Sequence, residues 1–423
     1  MKHALLSVGL LVTAAGPLFA NGPQPLRLPS GEPLICAYFF GHWWEPWKSD
    51  DDAIRRDLAR IKELGINAIC LDHEPQQWFD REWHYIDREH RLAKEAGIGV
   101  IPWLEAKCGA DMGRHHQNFK KYYGIDVPRA MDQDGEEKNA LIWHPDYRDA
   151  LTAHTLRYLE RFGDNGAILR VRKDGKVRRV ISLVVETGWD DVSFDEGTNS
   201  LFRQWLPRRY ANIAALNEAW GTTYESFEAV DPRDKKVFAY EQVYRDSKRD
   251  AVPKAVADHT LFRAELIDQA LSEVKRRVSA RHPDLLFLAE IPYTWHHDHP
   301  HAVGHTYRSA MLPVAVNYAD IVMFRTVDNR LGEADQAECR RLLAEGKDVI
   351  LSHRTYAAKS FAYPDAAQII AGQAASLANG LGYYSWNEMV DTHVVQRDDT
   401  EEFVALIESI NAEYQRLTAR NER

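Results

Sequence analysis

Acidic side chains recur at the points where predicted buried strands end. Glu186 directly follows the apolar run Val180 to Val185, Glu290 directly follows Leu285 to Ala289, and Glu388 stands two residues beyond a third run that ends at Trp386. Core packing gives no reason to place ionised groups there, because a carboxylate loses its hydration when it is buried. A protonated and an ionised carboxyl group together can perform acid–base or nucleophilic chemistry. The pattern therefore predicts a polar catalytic cleft.

Aromatic, cationic and polar residues occupy similar positions after other predicted strands. Those predicted to contact a substrate are Trp43, Trp44, Glu105, Trp189, Trp295, His353, Arg354, Trp386, Asn387 and Asp391. Ligand clefts combine aromatic surface with a few convergent polar groups. The three acids and these ten residues form the predicted site.

Eight short apolar runs must position this site. They are Leu34 to Phe40, Ala68 to Leu71, Val100 to Leu104, Val180 to Val185, Leu285 to Ala289, Ile321 to Phe324, Val349 to Leu351 and Gly382 to Trp386. Helical patterns lie between them: Asp51 to Leu64, Trp83 to Ala96, Pro145 to Phe162, Phe262 to His282, Glu333 to Glu345 and Asp365 to Asn379. This alternation, with strands too apolar to face water, predicts a parallel sheet.

Eight strand–helix units favour closure of that sheet into a single (β/α)₈ TIM barrel over an open, doubly wound sheet. No glycine-rich dinucleotide or phosphate loop follows the first strand, which also weakens the open-sheet alternative. Two polar insertions, Lys107 to Lys138 and Pro207 to Val252, are expected on the functional rim. In such barrels the strand ends form the catalytic rim, so the acids would meet there.

One stretch of the chain resembles a known family. It comprises Trp205 to Tyr210, Ile213, Leu216-Asn217, Ala219-Trp220-Gly221-Thr222 and Ser226, and the likeness continues over Asp258 to Phe262. This stretch resembles the helix after the fourth strand in glycoside hydrolase family 42, the β-galactosidase-like enzymes of clan A. The resemblance implies a glycosidase in which Glu186 is the acid/base. The Asn that precedes this Glu in clan A is Val185 here.

The second carboxylate has two candidates. Clan A enzymes carry their nucleophile after the seventh strand, but that strand ends here in Leu351-Ser352-His353-Arg354, without an acid. Glu388, in the segment YYSWNEMVD, is the first candidate, and its three-residue step to Asp391 resembles the paired acids of the family 99 endo-mannosidases. Glu290 is the second, because the fourth and fifth strands of a barrel are neighbours.

The N-terminus predicts export. Lys2 and His3 precede the apolar run Ala4 to Val12, and small residues continue to Ala20. This pattern is typical of a Sec-type signal peptide over residues 1–20, with the catalytic domain over 21–423 in the periplasm or secreted. No second apolar run is long enough to anchor the chain in a membrane. A net charge of -10 argues against a nucleic-acid partner.

Cysteine and histidine patterns leave alternatives open. Cys36 and Cys70 lie in predicted neighbouring strands and are interpreted as a buried thiol pair or one disulfide. The loop containing His296, His297, His299, His301 and His305 permits a metal site. Catalytic zinc sites draw ligands from rigid elements, so we expect no metal and no cofactor.

These patterns predict an exported glycoside hydrolase that acts on oligo- or polysaccharide with two carboxyl groups. The absent seventh-strand acid and the missing Asn motivate an alternative, a catalytically inactive barrel that binds carbohydrate. A metal-dependent hydrolase or lyase that uses the histidine loop is a further alternative. The sequence leaves the oligomeric state open.

Overall fold

The computed structural model describes residues 22–39, 41, 45–72, 83–104, 115–164, 166–183, 193–240, 253–291, 317–326, 331–354, 365–389 and 400–420. Its strands are β1 (Ile35–Tyr38), β2 (Ala68–Asp72), β3 (Gly99–Trp103), β4 (Arg129–Met131), β5 (Glu137–Ala140), β6 (Arg170–Lys173), β7 (Lys176–Ser182), β8 (Leu285–Ile291), β9 (Ile321–Thr326), β10 (Asp348–Arg354) and β11 (Gly380–Tyr384).

Helices follow most of the parallel strands. They are α1 (Asp51–Glu63), α2 (His84–Ala96), α3 (His115–Tyr123), α4 (Pro145–Phe162), α5 (Glu196–Arg209), α6 (Ile213–Trp220), α7 (Lys254–Ser279), α8 (Glu333–Ala344), α9 (Ala366–Leu377), α10 (Trp386–Met389) and α11 (Thr400–Arg420).

Within the described residues, eight parallel strands close into a barrel. Their order is β3-β2-β1-β11-β10-β9-β8-β7, and β7 pairs with β3 at Ser182 and Trp103. The carboxyl ends of all eight strands therefore lie at one rim. The predicted (β/α)₈ barrel is confirmed, and the rim that must carry its site is fixed by the strand direction.

Alternate residues of each barrel strand belong to two different layers. Cys36 and Tyr38 of β1 belong to a cluster inside the barrel, whereas Ile35 and Ala37 pack in the layer between strands and helices. In β10, Ile350 belongs to the inner cluster, and its neighbours Val349 and Leu351 belong to the outer layer. Each residue's face on the barrel wall can therefore be read from its position in the strand.

The helices begin and end at ordinary signals. In α1, the Asp50 side chain accepts a hydrogen bond from the Asp52 N–H at 2.8 Å, which satisfies a free donor of the first turn. α4 begins with Pro145 and ends at Phe162, as predicted. α7 begins at Lys254, earlier than the expected Phe262, and α11 was not predicted.

The fourth barrel strand differs from its prediction at the amino end. It begins at Lys176 rather than Val180, because β6 and β7 form an antiparallel hairpin across Asp174 and Gly175. Both turn residues have positive φ, +51° and +70°, which suits an Asp-Gly turn. Val184 and Val185, the predicted end of the strand, lie outside the described residues.

The two predicted insertions contain regular elements in their described parts. The first includes α3 and the antiparallel pair β4–β5, and the second includes α6. Cys36 and Cys70 are buried thiols that are not joined in a disulfide, so the disulfide alternative is wrong, whereas Cys108 lies outside the described residues. No helix in the part of the chain that is described has the length and apolarity to cross a bilayer.

Candidate active site

Glu290 lies inside the barrel near its carboxyl end. It is the sixth of seven residues in β8 and pairs in register with Met323 of β9. Leu286 and Leu288, four and two positions earlier, belong to the inner cluster, so Glu290 occupies the inward-facing set. Its side chain is only 3% exposed. A carboxylate here is desolvated, as expected of a functional group held in a closed cleft.

Aromatic residues fill the barrel interior beside Glu290. The Tyr38 ring lies 4.5 Å from that of Trp103 and 4.7 Å from that of Tyr384, both edge to face. The Tyr38 hydroxyl donates to the sulfur of Met323 at 3.3 Å. We name Tyr38, Trp103, Tyr384 and Met323 the aromatic floor. Because this layer packs the interior, a substrate must reach Glu290 from the carboxyl-end rim.

His353 lies on the opposite face of the barrel wall from Glu290. It is two residues from Leu351, which packs in the outer layer, so the two side chains lie on the same face of β10. His353 is fully buried, and its Nδ1 lies 3.3 Å from Thr326 Oγ1. Burial lowers the pKa of His353 to about 3, so its imidazole is neutral near pH 7. The backbone of Arg354, the next residue, pairs in register with Tyr384. The substrate-binding roles of both stay predictions.

Trp386 also packs behind the wall. It is fully buried in a cluster with Phe39 and Trp47, against the buried face of α1. The Trp47 indole N–H donates to Asp57. Burial raises the pKa of the Asp57 carboxyl, and hydrogen bonds from Trp47 and Trp386 oppose that rise. Asn387 is buried as well. Sugar contacts by Trp386 and Asn387 stay predictions, and the packing of Trp386 is a contribution to the core.

The other predicted site residues fall outside what the structure describes. These are Glu186, Trp43, Trp44, Glu105, Trp189, Trp295, Asp391 and the loop that contains His296 to His305. For Glu388, the structure describes the backbone only, within α10. Glu186 follows the last described residue after β7, Leu183, by three positions. β7 and β8 are paired neighbours, so the strand that precedes Glu186 in the sequence lies beside the strand of Glu290.

The segment that carried the family resemblance is fixed by one buried carboxylate, which sequence reasoning did not single out. Asp258 on α7 is 1% exposed and accepts hydrogen bonds from Trp220 Nε1 at 2.9 Å, Arg209 Nε at 3.1 Å and Lys254 Nζ at 2.6 Å. The Tyr210 hydroxyl also donates to it. Burial favours a higher pKa for Asp258, but the donors, Lys254 foremost, lower it below its ordinary value. This cluster, Asp258 with its four donors, holds α5 and α6 against α7.

A buried histidine next to this cluster is neutral for the same reason as His353. His259 is fully buried among Phe202, Phe194 and Phe262, with Nδ1 2.5 Å from the Tyr240 hydroxyl. Burial lowers its pKa well below the usual range. No group of three or more His, Cys, Asp or Glu side chains suited to a metal ion occurs among the described residues.

Comparison with known proteins decides the family. The profile of glycoside hydrolase family 42, described as beta-galactosidase, matches residues 37–298, more than half of the 423-residue chain. The chain belongs to glycoside hydrolase family 42. The match covers β1 to β8 and includes Glu186, Glu290 and the Asp258 cluster. The resemblance seen at Trp220-Gly221-Thr222 is thereby confirmed, whereas the family 99 likeness at 383–391 stays a prediction.

Relatives in family 42 are distant in sequence. The β-galactosidase BgaH of Haloferax lucentense is 25% identical over 263 residues, 56% of this chain and 35% of that protein. A β-galactosidase of Thermus thermophilus is 24% identical over 213 residues, 47% of this chain and 30% of that protein. The chain thus spans about a third of the length of these relatives.

Solved structures share the fold. A catalytic mutant of Gan42B, a GH42 β-galactosidase from G. stearothermophilus, superposes with a TM-score of 0.60 at 12% identity, covering 95% of this chain and 58% of that one. The catalytic domain of a β-amylase from Paenibacillus polymyxa gives a TM-score of 0.55 at 14% identity, covering 89% and 98%. At such identities the likeness establishes the barrel alone.

Proposed function

We propose that this family 42 chain is a glycoside hydrolase whose two catalytic carboxyl groups lie at the carboxyl end of the barrel. The observation that carries the proposal is Glu290, a buried inward carboxylate of β8 beside the aromatic floor. A glycosidase needs one carboxylic acid to protonate the departing oxygen and one carboxylate to attack the sugar or to activate water. The beta-galactosidase names of the relatives make β-galactosides the first substrates to test.

In this proposal Glu186 protonates the leaving oxygen and Glu290 is its partner. Glu186 comes shortly after β7 in the sequence, and Glu290 lies near the end of the neighbouring strand β8. Neighbouring strand ends can bring two carboxyl groups within reach of one bond. A separation of about 5 to 5.5 Å would give retention of the anomeric configuration, and about 6.5 to 9.5 Å inversion. Glu388, after β11, is the competing partner, so the experiment must distinguish it from Glu290.

The deciding experiment compares Glu186→Gln, Glu290→Ala and Glu388→Ala on aryl β-galactosides, with exposed Glu63→Gln on α1 as the control. Glu290→Ala should lower kcat at least about 1,000-fold while sugar affinity changes less than about tenfold, because the lost interaction forms only in the transition state. Glu186→Gln should suffer most on poor leaving groups. Azide should restore part of the Glu290→Ala activity. If only Glu388→Ala is inactive, Glu388 is the partner instead.

A second function, carbohydrate binding without hydrolysis, is favoured by two observations. The carboxyl end of β10, the seventh barrel strand, is Ser352-His353-Arg354 and carries no acid, and Val185 replaces the Asn of clan A. Calorimetric binding of oligosaccharides with no turnover on any glycoside of the panel would support this function. Metal analysis of the purified protein tests the metal-dependent alternative, since bound zinc in stoichiometric amount would favour it.

We also propose that the chain is exported, with residues 1–20 removed. The support is the charged start followed by the apolar run Ala4 to Val12. Amino-terminal sequencing of protein recovered from a periplasmic extract or culture medium should begin near Asn21. Recovery of the full-length chain in the cytoplasm alone would contradict export.

A further inference from the structure

A strongly basic hairpin protrudes from the end of the barrel opposite the active-site rim. Residues 170–179, RVRKDGKVRR, contain six Arg or Lys and one Asp, in a chain whose net charge is -10. The first pair between β7 and its barrel neighbour β8 is Arg179 with Leu285, so Lys176 to Arg178 precede the barrel at its amino end. Glu290 lies near the carboxyl end of β8. The hairpin and the candidate active site therefore occupy opposite ends.

The pairing within the hairpin sets like charges opposite each other. Arg170 pairs with Arg179, and Lys173 pairs with Lys176. Directly opposed like charges destabilise an antiparallel pair. One member of each pair has an acidic partner: Asp284 binds Arg179 at 2.6 Å, and Asp348 binds Lys173 at 2.5 Å. The other members, Arg170 and Lys176, have no such acidic partner in the part of the chain that the structure describes.

Four cations of the hairpin have no ion pair with any described acid. The Arg170, Arg172 and Arg178 guanidinium groups donate only to backbone carbonyls, those of Gly163, Pro29 and Pro283. The Lys176 ammonium group makes no hydrogen bond within the described parts of the chain. Arg170, Arg172 and Lys176 are exposed, and Arg178 is half-buried.

Carbonyl contacts orient an arginine without neutralising it, so the remaining N–H groups can still bind an anion. Residues two apart on one strand lie about 7 Å from each other, which sets Arg170 and Arg172 in a row along β6. Cross-strand partners share a face, so Arg170 and Arg172 lie on one face of the hairpin, whereas Lys176 and Arg178, which pair with Lys173 and Val171, lie on the other. We name these four cations of the two faces, Arg170, Arg172, Lys176 and Arg178, the basic row.

We propose that the basic row binds an anionic polysaccharide, one that carries carboxylate or sulfate groups, at the end of the barrel remote from hydrolysis. Arginine forks suit the paired oxygens of these groups. A bound chain there would hold the protein on a polymer while the rim stays open. The proposal does not depend on the catalytic assignment, because it concerns binding alone.

Two other polyanions fit the hairpin less well. Proteins that bind a membrane surface bury an apolar face, whereas the only large apolar side chain that the described hairpin exposes is Val177, at 45%. Duplex nucleic acid is a stiff rod with phosphates at a high linear density, so a bound duplex would extend beyond the ten-residue hairpin along the net negative remainder of the chain. A polysaccharide spaces its charges more widely, and it can contact the hairpin alone.

The test measures binding of the full chain to dextran sulfate, carboxymethyl dextran and neutral dextran, three polymers with one backbone. The variant changes the basic row to Gln at all four positions. The matched control changes three Arg and one Lys that are exposed elsewhere, Arg56, Arg208, Arg276 and Lys236, to Gln. Both variants lose the same net charge, so overall attraction is equal between them.

We expect wild type and control to bind the two charged polymers but not dextran. The basic-row variant should bind at least about tenfold more weakly, and raising salt from about 0.05 to 0.5 M should weaken wild-type binding as strongly, because exposed charges are screened. Hydrolysis of a small aryl glycoside should be unchanged in both variants.

Equal affinity of the basic-row variant and the control would overturn the proposal. Stronger wild-type binding to double-stranded DNA or to phosphatidylglycerol vesicles than to either charged dextran would also overturn it. Aggregation of the variant without any polymer binding by wild type would assign the row to protecting the β6 edge from other strands. Because binding is measured without turnover, an inactive protein leaves this test intact.

Discussion

Replacing Asp258 by Asn should destabilise the protein by about 2 kcal/mol. The carboxylate Oδ2 accepts from the Trp220 indole N–H and the Tyr210 hydroxyl, and Oδ1 faces Lys254 and Arg209. An amide offers one acceptor oxygen. With the amide oxygen at the Oδ2 site, the NH₂ group faces both cations. In the reverse orientation, the NH₂ group faces the indole N–H and the hydroxyl. Either arrangement loses two of the four hydrogen bonds.

The first orientation costs less, because the cations retain access to water. The Lys254 and Arg209 side chains are 44% and 41% exposed, and an ion pair of this exposure contributes up to about 1 kcal/mol. Two such losses give about 2 kcal/mol. The second orientation removes hydrogen bonds that donate to a charged acceptor, each worth about 1.5–3 kcal/mol, so the protein should adopt the first.

Urea unfolding followed by tryptophan fluorescence measures this difference, with Asp52→Asn as the control because Asp52 is 75% exposed on α1. The folded pKa of Asp258 is lowered, so its stabilisation is present above the unfolded value of about 4 and fades as pH falls towards the folded pKa. The difference between wild type and Asp258→Asn should therefore shrink at acid pH. A difference below about 0.5 kcal/mol at pH 7, or one that does not change with pH, would refute this account of the cluster.

Three further changes have directions set by burial. The pKa of buried His353 lies at about 3, below its unfolded value of about 6.5. The free energy of unfolding of wild type should therefore fall by about 2 kcal/mol between pH 7 and 5, and that of a His353→Gln variant should not. Parallel pH profiles of urea unfolding would contradict this. Burial raises the pKa of Asp335 to about 7, and its Oδ1 has no partner among the described residues. The stability of wild type should therefore fall as pH rises from about 4 to 7. At pH 8 the Asp335→Asn variant should be about 1–2 kcal/mol more stable than wild type. Lower stability of that variant at pH 8 would count against the assignment. Met323→Ala should cost about 3 kcal/mol by opening a cavity beside Glu290 and removing an acceptor of the Tyr38 hydroxyl, whereas Met323→Leu should cost less than about 1.5 kcal/mol; equal losses would exclude the cavity as the cause.

The sequence by itself determined the barrel and the family. Eight runs apolar on both sides, alternating with helices, leave few arrangements other than a closed parallel sheet, and each run overlaps a strand of the barrel. The Trp220-Gly221-Thr222 segment indicates family 42 without reference to the fold. The β6–β7 hairpin also has a sequence signal, since Asp174-Gly175 strongly favours a turn between β-rich runs. The apolar pattern nevertheless led to a predicted strand start at Val180.

Tertiary structure alone decided which face of the wall each rim residue occupies. A strand buried on both faces has no polar–apolar alternation, so nothing in Leu351-Ser352-His353-Arg354 tells which residues face inward. A shift by one residue exchanges the faces, and the register of the closed sheet places His353 outside, with Thr326, and Glu290 inside, opposite Met323. The Asp258 cluster cannot be predicted from local sequence for a related reason. Trp220 and Asp258 are 38 residues apart, and only the packing of α6 on α7 brings the indole to the carboxylate.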